Sequence, residues 1–357
     1  MASVKGLFDP VNIGTVTTRN RICIPPMVIY GYSDDSGMVT EDNVSHYARL
    51  AQGGAGLIIQ EATCISKDGR LSADQLGIWS DDHIPGLKQI VQRVHAYGCP
   101  IFVQLHHAGV AGIGPDYLCP SAYRFSGRRG VHTGRAMTEA EIQTVREDFI
   151  QAGRRAFLAG YDGVEIHGCH SYLLCQFLNA RVNRRTDVYG KEPLKLIQEI
   201  MEGIRACTAP DFVIGIRLGG FEPTLADGIA HAKALADYGI GFLDISYGFS
   251  GEMDLTVPGD PDLMDIVRAA GAIRKAVDVP VFAVGGIRLP EDAQRVLRET
   301  NVDMVDVGRS ALVDPEWPNR ARRGEKPGKC LDCKVCQWRL DREKCPGRKL
   351  LEKEVRA

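Results

Sequence analysis

Residues 158–172 read LAGYDGVEIHGCHSY. A helical pattern stops at Gly160, a residue suited to the left-handed turn that ends a helix. The run from Gly163 to His167 then has the apolar, β-branched content of a short strand. Two imidazoles and a phenol, His167, His170 and Tyr172, arrive as that strand finishes. The same junction, a glycine-closed helix feeding a strand, recurs at AQGGAG (51–56), HAYG (95–98) and ADYGIG (236–241).

Working outward, eight strand candidates alternate with helical segments: 22–27, 56–62, 101–105, 163–167, 212–218, 242–247, 281–286 and 303–309. Between them lie stretches of helical period such as 82–98 and 138–160. The second opens with Thr138 followed by Glu141, a capping box. Strands that alternate with helices are parallel and joined by right-handed crossovers. Eight such units predict a (β/α)8 TIM barrel. A doubly wound open sheet would want a glycine-rich turn after its first strand, and PPMVIYGYSDDSG (25–37) is a poor one. Residues 7–21 read as a hairpin ahead of the barrel. The barrel is expected over residues 1–319 and a basic, cysteine-containing tail over 320–357. The segment 106–137 reads as a long loop.

The chain has 357 residues, 44% hydrophobic and 25% charged, with a formal charge of -2. That balance fits a globular protein and gives no field for nucleic acid. The start, MASVKGLFDP, lacks an apolar export signal. No apolar run approaches the roughly 20 residues of a membrane span. A cytoplasmic protein, a homo-oligomer without membrane or nucleic-acid partners, is expected. The 11 cysteines include an odd one and argue against a disulfide framework.

In a barrel, chemistry sits where strands end. The first strand ends in Pro25, Pro26, Met27 and Val28, the second at Ala62, the third at Gln104. Gly285, Gly286, Gly308 and Arg309 end the seventh and eighth, the usual phosphate cradle of this architecture. Arg217 ends the fifth, where a cation must be paired or face a ligand. Reduced flavin carries negative charge that such an arginine would stabilise. His167 and His170 admit three readings: zinc ligands together with His106 or His107, structural groups, or paired donors to one substrate oxygen. In the last reading Tyr172 supplies a proton, since an unperturbed phenol is protonated at neutral pH.

These motifs resemble the Old Yellow Enzyme family of FMN-dependent ene-reductases over roughly residues 7–315. The likeness is carried by LFDPVNIGTVTTRNRICIPPM, GGAGLIIQEAT, QLHHAG and above all HGCHSYLLCQFLNARVNRRTDVYG. The resemblance implies FMN across the barrel mouth. Pro25, Pro26, Met27, Val28 and Ala62 would lie against its ring, with Gln104 and Arg217 at the polar edge. Gly285, Gly286, Gly308 and Arg309 would hold the phosphate. It implies NADH or NADPH as reductant and an enone-type substrate. The carbonyl would be held by His167 and His170 beside Tyr30, with Tyr172 as proton donor. Val110 stands where the family often has arginine, and Val28 where some members have cysteine or threonine.

Cys330, Cys333, Cys336 and Cys345, followed by Pro346, have metal-ligand spacing. One [4Fe-4S] cluster, a four-cysteine zinc site, or metal-free thiols in a covering tail all satisfy it. The tail resembles that of the longer dienoyl-CoA reductases and trimethylamine dehydrogenase. A cluster would imply an electron-transfer partner and an oxidative, amine dehydrogenase-like alternative.

Overall fold

The computed structural model describes residues 5–127 and 130–356. Eight parallel strands run in chain order around a closed barrel. They are β1 (Ile22–Ile24), β2 (Leu57–Cys64), β3 (Ile101–His106) and β4 (Gly163–Gly168), then β5 (Val213–Gly219), β6 (Leu243–Ser246), β7 (Val281–Val284) and β8 (Met304–Asp306). Closure comes where Val305 of β8 pairs with Ile22 of β1. Helices follow in turn: α1 (Glu41–Gln52), α2 (Ile84–His95), α3 (Glu139–Ala159), α4 (Lys195–Cys207), α5 (Leu225–Asp237), α6 (Asp265–Arg274), α7 (Pro290–Thr300) and the short α8 (Arg309–Val313). The expected (β/α)8 barrel is the fold.

Local chemistry sets the punctuation. At the start of α3 the Glu141 N–H donates to Thr138 Oγ1 over 3.3 Å and the Thr138 N–H donates to Glu141 over 2.8 Å. The four recurrent helix-to-strand junctions place Gly54, Gly98, Gly160 and Gly239 at φ of 98°, 63°, 91° and 85°, where a side chain is strained.

Side chains alternate along each strand, so every strand has an outer and an inner set. Val103, Ile166, Ile216, Ile245 and Val305 point outward into the core under the helices. Phe102, Phe242, Phe282, Val213 and Met304 point inward and form a separate cluster. Phe242 stacks between Phe102 and Phe282, with centroids 5.4 and 4.8 Å away. Val11 and Ile13 of the N-terminal hairpin (Val11–Ile13 with Val16–Thr18) join that cluster and plug the lower end of the barrel. The upper end is therefore the open one.

Residues 106–137 are more ordered than a long loop. Leu118–Cys119, Tyr123–Gly127 and Gly130–Ala136 form a small sheet beside the mouth. Most of its side chains reach solvent, so it has little of the apolar alternation that betrays a strand. The C-terminal segment folds back over the chain after β1. Trp338 and Cys345 pack with Ile29, Tyr32 and Val313. Arg339 and Arg342 lie over the rings of Tyr30 and Tyr32, 3.9 and 3.4 Å from the centroids. Among the described residues no helix is long and apolar enough to cross a membrane.

Candidate active site

Above the phenylalanine layer the inward positions turn polar. Arg217 Nε lies 3.2 Å from Asp244, and its Nη2 3.6 Å from Asp306, with all three side chains buried. Burial opposes charge on this arginine, but the adjacent carboxyls outweigh it and push its pKa up. Glu165 sits in the same layer and accepts a hydrogen bond from Gln104 Nε2 at 2.7 Å. Burial, then repulsion from Asp244, push Glu165 and Asp306 well above the ordinary carboxylate range. One guanidinium thus faces more carboxyl groups than it can neutralise, and protons make up the difference.

A cavity of about 230 Å³ opens above this layer. Pro25, Pro26 and Met27 line one side, and Gly285, Gly286 and Gly308 with Arg309 line another. Arg217, Asp306 and His170 also reach it. Gly285 and Gly286 have φ of 131° and 68°. A Cβ on Gly308 would stand 3.3 Å from Met27 Sδ and 3.4 Å from Pro25. The positive φ values at Gly285 and Gly286 favour glycine, and at Gly308 the missing Cβ leaves space beside Met27 and Pro25. Arg309 and Arg288 reach the same cavity, yet both pair with Asp332 of the tail.

Other expected residues stand back from the cavity. Gln104 is turned to Glu165, and the Ala62 carbonyl accepts from Gln75 at 2.7 Å. Neither these two nor Val28 is among the cavity-lining residues. Tyr30 lies beneath Arg339 of the tail. Glu61 holds the loop after β1, accepting from the Ile29 N–H at 2.8 Å and the Tyr47 hydroxyl at 3.1 Å.

The histidines form a chain across the mouth. His106 Nδ1 is 3.0 Å from His167 Nδ1, His167 Nε2 is 3.1 Å from His170 Nδ1, and His170 Nε2 is 2.7 Å from Ser246 Oγ. His170 and Ser171 have φ of 59° and 65°, a reversal that turns His170 back toward β4. Tyr172 follows, its ring edge-on to His106 and His167 at 4.4 and 4.8 Å. Burial pushes all three imidazoles down, His170 to about 3, so they are neutral. His107 lies apart and accepts the Gly109 N–H at 3.0 Å.

A metal among these histidines would need different partners from those expected. Among the described residues, the group of ligand atoms compact enough for one ion is His167, Cys169 and His170, within 4.8 Å. Burial pushes the Cys169 thiol well up, away from the thiolate a metal requires. The four tail cysteines form no such compact group, yet all four line one small pocket. Cys330 and Arg309 line both that pocket and the main cavity.

Glu165, Asp244, Asp306 and Ser246 escaped the sequence reading, although a signal exists. In Phe102-x-Gln104-x-His106, Gly163-x-Glu165-x-His167 and Phe242-x-Asp244-x-Ser246, inward residues run from apolar or small to polar at a period of two. The motif NRRTDVYG (183–190) has a structural part. Asn183 Nδ2 donates to the carbonyls of Phe177 and Tyr189, and Arg185 ties Asp187 to the carbonyls of Pro120 and Met137.

Comparison with known proteins shows what this chain is similar to. Residues 6–327 match the model of the NADH:flavin oxidoreductase / NADH oxidase family. An NADPH dehydrogenase of Geobacillus sp. (strain WCH70) is 35% identical over 325 residues, covering 89% of this chain and 94% of that protein. An NADH oxidase of Thermoanaerobacter brockii is 34% identical over 94% of this chain, which spans only 54% of that longer protein. The solved old yellow enzyme homologue from Zymomonas mobilis superposes with a TM-score of 0.79 at 29% identity, over 94% of this chain and 98% of that one.

Proposed function

The chain belongs to the NADH:flavin oxidoreductase / NADH oxidase family, and from that membership we propose an FMN-dependent oxidoreductase. It takes reducing equivalents from NADH or NADPH and reduces the activated C=C bond of an α,β-unsaturated carbonyl compound. One observation carries the reading. A single cavity joins the glycine turns after β7 and β8, the buried cation Arg217, and His170.

The donor set fits FMN. Glycine backbone at 285, 286 and 308 leaves room and N–H groups for a phosphate. Arg309, once released from Asp332, adds a charge-assisted contact. Pro25, Pro26 and Met27 offer an apolar wall, and Val28 and Ala62 stand back from it. Arg217 offsets negative charge on the ring's polar edge, with Gln104 reaching that edge by turning from Glu165. Bound there, FMN supplies the hydride chemistry. His167 and His170 hold the carbonyl oxygen and draw charge toward it. Tyr172 donates a proton as general acid, and Tyr30 borders the substrate.

The test is a pair of half-reactions. Protein reconstituted with FMN is expected to bleach on anaerobic addition of NADH or NADPH and to recover its colour with a cyclic enone. Failure to bind FMN, or a reduced enzyme inert to the enone, overturns the reading.

The wall shared by the cavity and the cysteine pocket favours a second element. We propose Cys330, Cys333, Cys336 and Cys345 as ligands of a [4Fe-4S] cluster. Zinc at about 2.3 Å from each sulfur would draw the thiolates within ~3.8 Å of one another. A cube sets each thiolate on a different iron corner and spreads them. This arrangement supports the alternative of an oxidative flavoenzyme that passes electrons to a partner protein. Iron and acid-labile sulfide in the anaerobically purified protein, lost in Cys333→Ser, are expected. Zinc, or no metal, removes this element.

A further inference from the structure

We propose that Ser246 and His106 are positioning residues that fix the tautomers of His170 and His167, so that both imidazoles offer an N–H to one oxygen. The inference rests on the reading of His167 and His170 as the oxygen-binding pair.

The argument is a count of hydrogens. Each imidazole is neutral, so each carries one N–H and one bare nitrogen. The inner nitrogens, His167 Nε2 and His170 Nδ1, are 3.1 Å apart. With the rings swung to aim both N–H groups at it, an oxygen about 2.8 Å from both would accept from both. Two inner N–H groups require two bare outer nitrogens, His167 Nδ1 and His170 Nε2. Those outer atoms face His106 Nδ1 at 3.0 Å and Ser246 Oγ at 2.7 Å. A hydroxyl donates or accepts by rotating, so Ser246 can give its hydrogen to His170. His106 can give its Nδ1 hydrogen to His167. That leaves His106 Nε2 bare, and this atom is buried with no hydrogen-bond partner. Among buried backbone groups an unshared acceptor is tolerated better than an unshared donor, and the same preference fits here.

Without an oxygen between them, two inner N–H groups would oppose each other across 3.1 Å. One inner nitrogen must then accept from the other, and the hydrogens of the chain all run one way. Arrival of a carbonyl or phenolate oxygen reverses one end. His106 and Ser246 meet the two outer nitrogens, so these flanking groups decide whether the seat has two donors or one.

The probe is 4-nitrophenol bound to the FMN-loaded protein, because its anion and acid absorb at different wavelengths. The ionised fraction at fixed pH reads how strongly the seat favours a negative oxygen. Ser246→Ala removes the donor to His170 and is expected to raise the bound phenol's pKa by about one unit, a tenfold loss of preference for the anion. Ser246→Thr keeps the hydroxyl and is expected to restore it. His106→Phe should produce a similar loss from the other end. A bound pKa unchanged in Ser246→Ala overturns the inference. His167→Ala separates it from the parent reading. If that variant too binds 4-nitrophenolate like the wild type, the oxygen-binding pair itself is wrong. If His167→Ala weakens binding while Ser246→Ala does not, only the tautomer role falls.

Discussion

The Asp332 carboxylate lies 2.8 Å from the Arg288 guanidinium and so fastens the loop between the first two tail cysteines to the loop after β7. The same carboxylate holds Arg309. Both arginines border the main cavity, so an anion of the chain occupies the cations best placed to meet a phosphate. The pairs are partly exposed and individually weak. Asp332→Asn is therefore expected to tighten FMN by a few-fold at low ionic strength, an effect that fades with salt. Riboflavin, which lacks the phosphate, should bind both proteins equally. Flavin fluorescence quenching measures each case, and equal FMN affinity would show that Asp332 does not compete.

Tyr172 packs edge-on against His106 and His167 at the mouth. Tyr172→Phe keeps that packing and removes the hydroxyl. Bleaching by NAD(P)H should proceed at nearly the wild-type rate. Reoxidation by an enone should slow by roughly 100-fold, the scale of general acid catalysis. Rapid-mixing absorbance separates the two steps. Equal slowing of both would point to a structural role instead.

Arg217 is a buried cation between Asp244 and Asp306. Arg217→Ala leaves these carboxyls without their counter-ion, a loss of about 3 kcal/mol at pH 7. Protonation relieves the repulsion, so the loss should be smaller at pH 5. Urea unfolding at both pH values tests this, and a pH-independent loss would assign the effect to packing alone.

Glu61 is fully buried, and burial pushes its pKa up to about 8 against the hydrogen bonds from Ile29 and Tyr47. The native state therefore keeps a proton that the unfolded chain, near its ordinary ~4.3, gives up. Its contribution to stability is fully present below about pH 4 and declines as the pH rises toward 8. Glu61→Gln cannot ionise and is expected to flatten that part of the stability profile, by at most ~1.4 kcal/mol per pH unit. Chemical denaturation at pH 5 and pH 8 reads the slope. An unchanged slope would mean that Glu61 is already ionised when folded.

Much of this architecture was legible in linear order. Glycines at 54, 98, 160 and 239 mark where helices stop because only a residue without Cβ takes those positive φ values cheaply. Strand–helix alternation implies parallel pairing, and parallel pairing repeated eight times implies closure. The position of His167, His170 and Tyr172 at a strand end followed from that alone. The small sheet at 118–136 was not legible, because strands exposed on both faces lose the apolar alternation that identifies them.

The sequence by itself determined the barrel, its open end and the residue types at the mouth, since these follow from local backbone preference and the period of the apolar pattern. Tertiary structure alone decided which of those residues touch. Registers between β3, β4, β5 and β6 set His106 beside His167, Glu165 beside Gln104 and Arg217 beside Asp244. A left-handed pair at His170 and Ser171 brought His170 to Ser246. Folding of the tail carried Asp332 onto Arg288 across 44 residues of chain. Such contacts depend on strand stagger and long-range closure, which no local preference encodes.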